Sequence, residues 1–593
     1  MKQRNEIPSE YKWDLTQLFE SREAWEKECD EFEKVIAEIP ALKGTLGQSA
    51  ESLYNAYEKL YAIDERFEKA VVYAHFSKVI DGGDPAALEM MSKVHTLIVK
   101  MNTAMSFLEP ELMAIPEEKL NEFLKDEKLR SKYGFIIENA TRLRDHVLDD
   151  KGESMMAQFG KITGVMSDVF QLLTNVEMEI PKVINDKGEE AELTAGNFLM
   201  YRESKNKEVR DTAFKTMFGT YGKFNNTIAA IYGGSVKKDN VLASLRGYPS
   251  ARAASLSRSN VPEEVYDALI SAVHAAIPTM SKYLKLRKKV MGLDKIDVFD
   301  LYTPMVPDVD YPMTYEEACE LVINAVAPLG KDYQDVIKRA FKENWIDVYE
   351  TPRKESGAFS SGVYGVHPFV KLNFAGTLDD AFTLAHELGH SMHSYLSSAK
   401  QDYPNHSYML LVAEVASTCN EVLLTKYLLS TEKDPGRRAY ILNHFLEGFR
   451  TTVFRQTLFA EFENMVHNME AEGKPITATA LNELYSDLEK TYYCEAEFRD
   501  EIKYEWSYIP HFYRAYYVYQ YATGFSSAVA IATGILESGD PSKYLEFLSS
   551  GGSDYPINEL KIAGIDLTSP SVVANAMKVF NETIDELDAL LSK

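Results

Sequence analysis

The sequence predicts a mainly α-helical protein built from two or more packed lobes, with one small β-sheet. Most of the chain places apolar side chains at the three- and four-residue spacing of amphipathic helices. Leu, Ala, Glu, Lys and Met abound in these segments, whereas Gly and Pro are sparse inside them. At 593 residues the chain also exceeds what a single hydrophobic core usually supports.

Helical spacing recurs in both halves of the chain. The N-terminal helices are expected over residues 17–38, 50–79, 85–108 and 117–126. The later helices are expected over residues 262–291, 314–342, 406–430, 437–471, 477–493 and 572–591. We place a lobe boundary near residue 200, which separates an N-terminal helical lobe (1–200) from a catalytic region (201–593).

Two segments depart from the helical pattern. Residues 353–376 are rich in glycine, and within them residues 369–374 alternate in polarity like a short strand. An extended peptide could pair with an edge of this strand. The glycine-rich stretch at 357–365 is either a mobile flap or an ordinary surface loop. A second strand pair is expected around 178–193, where Asn-Asp-Lys-Gly is a plausible hairpin turn.

Composition narrows the class of protein. The net charge of −26 disfavours nucleic acid and anionic membranes as partners, because phosphate groups would be repelled. The four cysteines are widely spaced and form neither a metal knuckle nor a disulfide framework. The first residues lack the apolar core of a signal peptide, and no apolar stretch is long enough to span a membrane. We therefore expect a cytoplasmic protein.

The segment His-Glu-Leu-Gly-His at 386–390 predicts a metal site on a helix. Thr377 is a suitable N-cap, so a helix should run from there to about residue 399. His386 and His390 are four residues apart and share one helical face, and Glu387 can act as a general base for an attacking water. Gly389 is costly in a helix interior unless another backbone must approach closely.

A catalytic zinc needs a third protein ligand. His393 is excluded because it lies about 10 Å along the helix axis from His386. The polar turn at 401–405 suggests an antiparallel hairpin of helices, which would set Glu414 opposite His390. We expect Glu414 to be the third ligand, and Glu421, two turns further on, to orient an imidazole.

The stretch from 357 to 393, with Gly-Ala-Phe-Ser-Ser-Gly, Leu-Asn-Phe-Ala-Gly-Thr-Leu and the His-Glu-Leu-Gly-His segment, resembles the oligoendopeptidase F branch of the thimet-oligopeptidase family. Residues 11–15, 300–302 and 549–556 resemble it as well, so the match runs over nearly the whole chain. The resemblance implies a helical, two-lobed metallopeptidase with a deep substrate channel. It also implies one zinc ion per chain, held by His386, His390 and Glu414, with Glu387 as the base and oligopeptides as substrates.

The same resemblance implies substrate-binding residues late in the chain. The family uses a histidine and several tyrosines to stabilise the tetrahedral intermediate, and residues 509–521 match that stretch. His511 fits the family histidine, and Tyr516 follows it at the expected distance. Tyr519 is a further candidate, although a tyrosine-rich stripe on its own is as typical of a core as of a site.

Two other functions remain open at the level of sequence. A zinc carboxypeptidase of similar helical fold would need a cation for the substrate's terminal carboxylate, and Arg353 or Arg514 could provide one. A catalytically silent peptide-binding protein could keep the same scaffold. The expected function is a zinc endopeptidase acting on short to medium oligopeptides. The oligomeric state cannot be read from the sequence.

Overall fold

The computed structural model describes residues 2–306, 309 and 311–592. Its helices are α1 (Arg22–Glu38), α2 (Ala50–Ile80), α3 (Pro85–Met105), α4 (Leu108–Ala114), α5 (Glu117–Phe123), α6 (Glu127–Thr141), α7 (Asp150–Thr163), α8 (Val165–Leu172), α9 (Phe198–Arg202), α10 (Lys207–Lys223), α11 (Asn225–Leu245), α12 (Ala251–Ser257), α13 (Glu263–Ala275), α14 (Ile277–Val290), α15 (Tyr315–Ala325), α16 (Lys331–Lys342), α17 (Leu378–Lys400), α18 (Leu410–Thr431), α19 (Pro435–Gly448), α20 (Arg455–Ala471), α21 (Ala478–Tyr492), α22 (Tyr519–Ser538), α23 (Ser542–Ser550), α24 (Pro556–Ile562) and α25 (Ser571–Leu591). Its strands are β1 (Val183–Ile184), β2 (Glu190–Ala191), β3 (Ile296–Asp297), β4 (Ile346–Asp347), β5 (Phe359–Ser361), β6 (Phe369–Lys371) and β7 (Ala496–Glu497).

The predicted mainly α-helical fold is confirmed, and the helices differ from the prediction chiefly at internal breaks. The stretch predicted as one helix at 262–291 is divided into α13 and α14 at Ala276. Pro278 explains the division, because it has no N–H to donate and its ring clashes with the preceding turn. Gly330, at φ 94°, likewise separates α15 from α16 within the stretch 314–342.

The chain forms two compact units, each assembled from three separate segments. Unit 1 consists of Met1–Asp145, Tyr311–Leu424 and Ile531–Gly564. Unit 2 consists of His146–Asp310, Thr425–Ala530 and Ile565–Lys593. The lobes predicted from the sequence, 1–200 and 201–593, are two uninterrupted ranges, whereas each unit combines three segments. The predicted lobes are therefore a different kind of division and stay a prediction.

Helix caps and apolar faces explain the N-terminal part of unit 1. The side chains of Ser21, Ser49 and Asp84 each accept a backbone N–H in the first turn of α1, α2 and α3. The three helices then bury one continuous cluster that includes Trp25 and Phe67. Because each helix contributes an apolar stripe, none of the three is stable in water without the others.

A three-stranded sheet in unit 1 lies in the order β4-β6-β5. Strand β6 pairs in parallel with β4 and antiparallel with β5, so it is the central strand. The expectation that this strand receives a peptide at its edge is therefore wrong, because both of its edges are already paired. Strand β5, from the glycine-rich segment, lies at the edge of the sheet instead.

Side chains near the N-terminus bind to this sheet and stabilise it. The indole N–H of Trp13 donates to the carbonyl oxygens of Trp345 and Val370, at 3.0 and 2.8 Å. The Arg4 guanidinium pairs with the buried carboxylate of Asp347 in β4, which Lys354 also contacts at 2.8 Å. A buried carboxylate is costly unless it is paired, and here two cations share it.

Unit 2 contains the predicted hairpin and a buried ionic core. Strands β1 and β2 pair antiparallel around a turn in which Gly188 has φ 79°, as expected for residues 178–193. In the core of the unit, Glu505 is paired with Arg455 at 2.9 Å. Across the residues that the structure describes, no helix combines the length and apolarity needed to cross a membrane.

Candidate metal centre

Helix α17 begins where its sequence predicts. The Thr377 hydroxyl accepts the N–H of Asp380, and the Asp380 carboxylate accepts the N–H of Thr377, which completes a capping box. The helix then continues to Lys400, so residues 386–390 lie in its interior. This regular backbone places the two histidines one turn apart on a common face.

Helix α18 packs so close to α17 that there is no room for a side chain at Gly389. A Cβ atom added at Gly389 would lie 2.6 Å from both the Ala416 carbonyl oxygen and the Ser417 Cα. The side-chain amide of Asn420 donates to the Ala385 carbonyl of α17 at 3.1 Å, which adds a direct link between the two helices. The predicted hairpin of helices is therefore present, and glycine at position 389 is what permits its spacing.

The hairpin brings His386, His390 and Glu414 together. Their potential ligand atoms all lie within 4.8 Å of one another, and all three side chains are half-buried. The Glu414 Oε2 is 3.5 Å from the Nε2 of His386 and 3.6 Å from that of His390. Two atoms bound tetrahedrally to one zinc at about 2.1 Å are about 3.4 Å apart, so these spacings fit a shared metal.

Neighbouring side chains orient two of these groups. The Nδ1 of His386 lies 2.8 Å from Glu421 Oε1, the contact expected from the spacing. A proton held between them leaves the Nε2 lone pair free for a metal. The Ser417 hydroxyl lies 3.0 Å from Glu414 Oε2 and fixes that carboxylate. Ser417 was not singled out from the sequence, although its position three residues after Glu414 was a usable signal.

The charged groups of the cluster shift one another's pKa values. Burial acts to lower the pKa of His386, but its hydrogen bond to Glu421 and the surrounding carboxylates raise it to about 9. Burial acts to raise the pKa of Glu414, but His390 and His386 outweigh it and lower it to about 2. Two imidazoles surrounded by carboxylates attract a cation, either protons or a metal ion.

Glu387 lies beside the three metal-binding candidates but is more deeply buried, with 6% of its surface exposed. Burial raises the pKa of its carboxyl, and the neighbouring histidines partly offset that rise. A carboxylate with a raised pKa is a better proton acceptor than one in water. The burial of Glu387 and the raised pKa of its carboxyl are compatible with the role of general base predicted from the sequence.

His393 belongs to the core behind the cluster. It is fully buried, and its ring stacks on that of Tyr408 at 3.5 Å with an interplanar angle of 5°. Burial lowers the pKa of His393 to about 3, so the ring is neutral. Its place in the structure agrees with its exclusion from the ligands on grounds of distance.

The sheet is linked to the metal-binding helix through two serines. The Ser360 hydroxyl in β5 lies 2.8 Å from the Ser391 hydroxyl, which donates to the Glu387 carbonyl at 3.0 Å. A Cβ atom at Gly362 would lie 2.6 Å from the Ser394 Cβ, so the backbone following β5 also packs tightly on α17. The edge strand is thus fixed relative to the helix that carries Glu387.

The late candidates His511, Tyr516 and Tyr519 all lie in unit 2, in different surroundings. His511 is exposed and precedes a stretch of irregular backbone. Tyr516 and Tyr519 are each only 3% exposed, and both rings pack on Tyr266, at 5.6 and 5.4 Å. The roles of these residues in the reaction stay predictions.

The tyrosines that lie beside His511 in unit 2 are Tyr517 and Tyr521, and both are half-buried. Their hydroxyls are 3.3 Å apart, and their rings lie 6.2 and 6.3 Å from that of His511. Tyr516 has a left-handed backbone, with φ 55°, which redirects the chain between His511 and Tyr517. Sequence spacing could not reveal this turn, because nothing in the tyrosine-rich stretch marks a positive φ.

Comparison with known proteins identifies the family. Residues 200–579 match Peptidase family M3, and residues 111–180 match Oligopeptidase F. The oligopeptidase PepF of Bacillus subtilis is 43% identical over 100% of this chain and 88% of that protein. The group B oligopeptidase PepB of Streptococcus agalactiae is 40% identical over 100% of this chain and 98% of that protein.

A solved structure supports the same assignment. The oligoendopeptidase-F of Enterococcus faecium superposes with a TM-score of 0.74 at 36% identity, covering 96% of this chain and 98% of that one. These matches disfavour the carboxypeptidase and the silent binding protein. They extend over almost the whole chain, the family implies a metal, and the clustered histidines and glutamate are groups that could hold one. The chain therefore belongs to peptidase family M3 and is an oligopeptide-hydrolysing metallo-endopeptidase.

Proposed function

We propose that the metal of this endopeptidase is one zinc ion, held by His386, His390 and Glu414, and that its substrates are short to medium oligopeptides. The single observation that carries the proposal is the convergence of three ligand atoms within 4.8 Å. Two imidazoles and one carboxylate form a donor set typical of catalytic zinc, with a fourth position left for water or substrate.

Glu387 is proposed as the general base. When bound, zinc would act as a Lewis acid that lowers the pKa of a water molecule toward about 7 and polarises the scissile carbonyl. The Glu387 carboxylate accepts the proton of the attacking water and then donates it to the leaving amine. Glu421 holds the proton on Nδ1 of His386, so that Nε2 stays available throughout.

The edge of β5 is proposed to align the peptide. Val370 donates its N–H to the carbonyl of Trp345, the residue before β4, at 2.7 Å, so Ser360, which faces Val370 in the register, directs its own N–H and C=O away from β6. An extended peptide can pair with these groups as an added strand. Backbone pairing of this kind is independent of side chains and suits an enzyme that accepts many sequences.

We retain His511 and Tyr516 as proposed donors to the developing oxyanion, with Tyr519 as a further candidate. The exposure of His511 supports its role. Tyr516 donates from its hydroxyl to Asn464 at 3.4 Å, which suits a core residue equally well. Tyr517 and Tyr521 join the candidates because they are less buried than Tyr516 and Tyr519 and their rings lie beside that of His511.

Peptides that are blocked at both ends test the proposed function. Internal cleavage of a peptide with an acetylated N-terminus and an amidated C-terminus is expected, since no terminal charge is needed. Treatment with a chelator should abolish the cleavage, and stoichiometric Zn²⁺ should restore it, with one zinc per chain by elemental analysis. Cleavage confined to free C-termini, or full activity in metal-depleted protein, would contradict the proposal.

We also propose a cytoplasmic location. Cys29, Cys319 and Cys419 are buried free thiols, and Cys494 is an exposed one. Burial raises the pKa of each of the first three to about 12, which keeps them protonated and unreactive. An exposed free thiol is compatible with a reducing compartment. Cell fractionation with immunodetection tests the location, and recovery outside the cytoplasm would refute it.

A further inference from the structure

The turn that leads into the edge strand is held by side chains of the neighbouring strand. Lys371, at the end of β6, is 1% exposed. Its ammonium donates to the carbonyl oxygens of Glu355 and Ser356, at 2.9 and 2.6 Å. A buried ammonium is costly unless it is hydrogen-bonded, and these carbonyls together with the Phe359 ring at 5.3 Å compensate that cost.

Asn373 completes the contact two residues later. Its side-chain amide donates to the carbonyls of Glu355 and Gly357, each at 3.0 Å. Gly357 has φ 76°, a conformation that glycine adopts without strain. Three consecutive carbonyls, from Glu355 to Gly357, therefore accept hydrogen bonds from two side chains, one at the end of β6 and one two residues beyond it, and this arrangement fixes the shape of the turn.

The captured turn immediately precedes the groups available for pairing. Phe359 lies opposite Lys371 in the register, and Ser360 is the residue whose backbone N–H and C=O point to the outer edge. Ser360 is itself linked through Ser391 to the backbone of Glu387. The edge strand is thus held at its start by β6 and at its middle by the helix that carries the base.

We propose that Lys371 and Asn373 are positioning residues that pre-organise the β5 edge for pairing with the backbone of the peptide substrate. This inference rests on the proposed function, because it assigns the β5 edge to substrate binding. A strand ordered before binding does not lose conformational entropy when the peptide arrives, which strengthens binding. The hydrogen bonds of both side chains go to the turn, so their loss acts on substrate binding more than on the chemical step. The charge of Lys371 also interacts with that of Glu387, so Asn373 gives the cleaner separation of the two effects.

The test compares Asn373→Ala and Lys371→Met with wild type. Loss of the donors is expected to raise KM for a blocked octapeptide roughly tenfold, equivalent to about 1.4 kcal/mol, and in Asn373→Ala, which removes no charge, kcat should stay within about twofold. Amide hydrogen exchange at residues 356–361 should accelerate, and the metal content should stay at the wild-type level. Lys371→Arg, which keeps a cationic donor, should recover part of the loss in KM.

Asn344→Gly is the matched control. The Asn344 amide also donates to two carbonyls of unit 1, those of Ser9 and Lys12, at 2.7 and 2.9 Å. Glycine is used because Asn344 has φ 58°, which alanine would resist. This variant should lose comparable thermal stability without a change in KM.

Two results would overturn the inference. One is an unchanged KM in both Asn373→Ala and Lys371→Met, and the other is an equal rise in KM in Asn344→Gly. Failure of the proposed function has a different signature, since wild type itself would then leave blocked peptides uncut.

Discussion

The hairpin of α17 and α18 in unit 1 and the segment 510–521 in unit 2 both carry predicted site residues, yet only the first was predictable in detail. In the hairpin, both helices are regular, so the spacing of residues in the sequence fixes the direction of their side chains. His386, His390 and Glu414 therefore converge as expected. In residues 510–521, short 3₁₀ turns and the left-handed Tyr516 break any fixed period. Side-chain direction there follows from the backbone path, which spacing does not encode.

Removing Glu414 gives the largest expected effect and tests the predictable region. Glu414→Ala deletes one of three ligands and leaves two imidazoles, so zinc should be lost and activity should fall to that of chelator-treated enzyme. Elemental analysis after gel filtration measures the loss. Unchanged zinc content would show that the convergence of these three side chains is not the metal site.

Glu387→Gln separates the base from the ligands. The substitution keeps the shape of the side chain and removes its ability to accept a proton, so kcat should fall on the order of 10³-fold. Zinc content should stay at one per chain, because Glu387 is not among the three proposed ligands. Near-normal turnover would remove Glu387 from its role as base.

Paired tyrosine variants test which residues of the segment 510–521 take part in the reaction. His511→Ala should lower kcat about 100-fold if the imidazole donates to the oxyanion. The sequence match favours Tyr516 as the second donor, whereas the half-buried position of Tyr517 beside His511 favours Tyr517. Comparing kcat of Tyr516→Phe and Tyr517→Phe decides between them, because loss of the catalytic hydroxyl lowers kcat and loss of the core hydroxyl lowers chiefly the melting temperature.

Glu421→Gln probes the support of the metal site. The amide can still contact Nδ1 of His386 but no longer stabilises a positive charge on it, and such changes weaken metal binding by about 10- to 100-fold. Competition with a zinc-binding dye measures the affinity. A matched variant, Glu432→Gln, changes the residue that follows α18, at the end of that helix distant from His386, and should leave the affinity unchanged.

The smallest expected effect is on stability at acid pH, and it involves Glu505, which precedes the segment 510–521. Burial acts to raise the pKa of Glu505, but the charges of Arg455 and Arg202 outweigh it and lower that pKa below the ordinary value. A lowered pKa means that the stabilisation is complete above the unfolded value of about 4.3 and is lost as the pH falls below it. Melting temperatures from pH 6 to pH 3 should drop less steeply in Glu505→Gln than in wild type, and equal slopes would contradict this assignment.

The helical class, most helix positions and the hairpin at 178–193 could be predicted, because periodicity, caps and turn residues act locally. The edge position of β5 could not, since a strand's neighbours are chosen by long-range pairing and not by its own polarity pattern. The alternation at 369–374 correctly indicated a strand but said nothing of its being central. Ser360 and Ser391, which link the sheet to α17, lie 31 residues apart in the chain and carry no mutual sequence signal.

By itself, the sequence determined the metal-binding helix, its cap, the facing carboxylate and the need for glycine at position 389. Regular helices have fixed geometry, and a fixed geometry lets spacing predict contact. Only the tertiary structure decided that β5 is an edge strand, that Lys371 and Asn373 bind the carbonyls of the turn before it, and that Tyr517 is less buried than Tyr516. Those outcomes depend on packing between segments distant in the chain and on one left-handed residue, and neither is a property of local sequence.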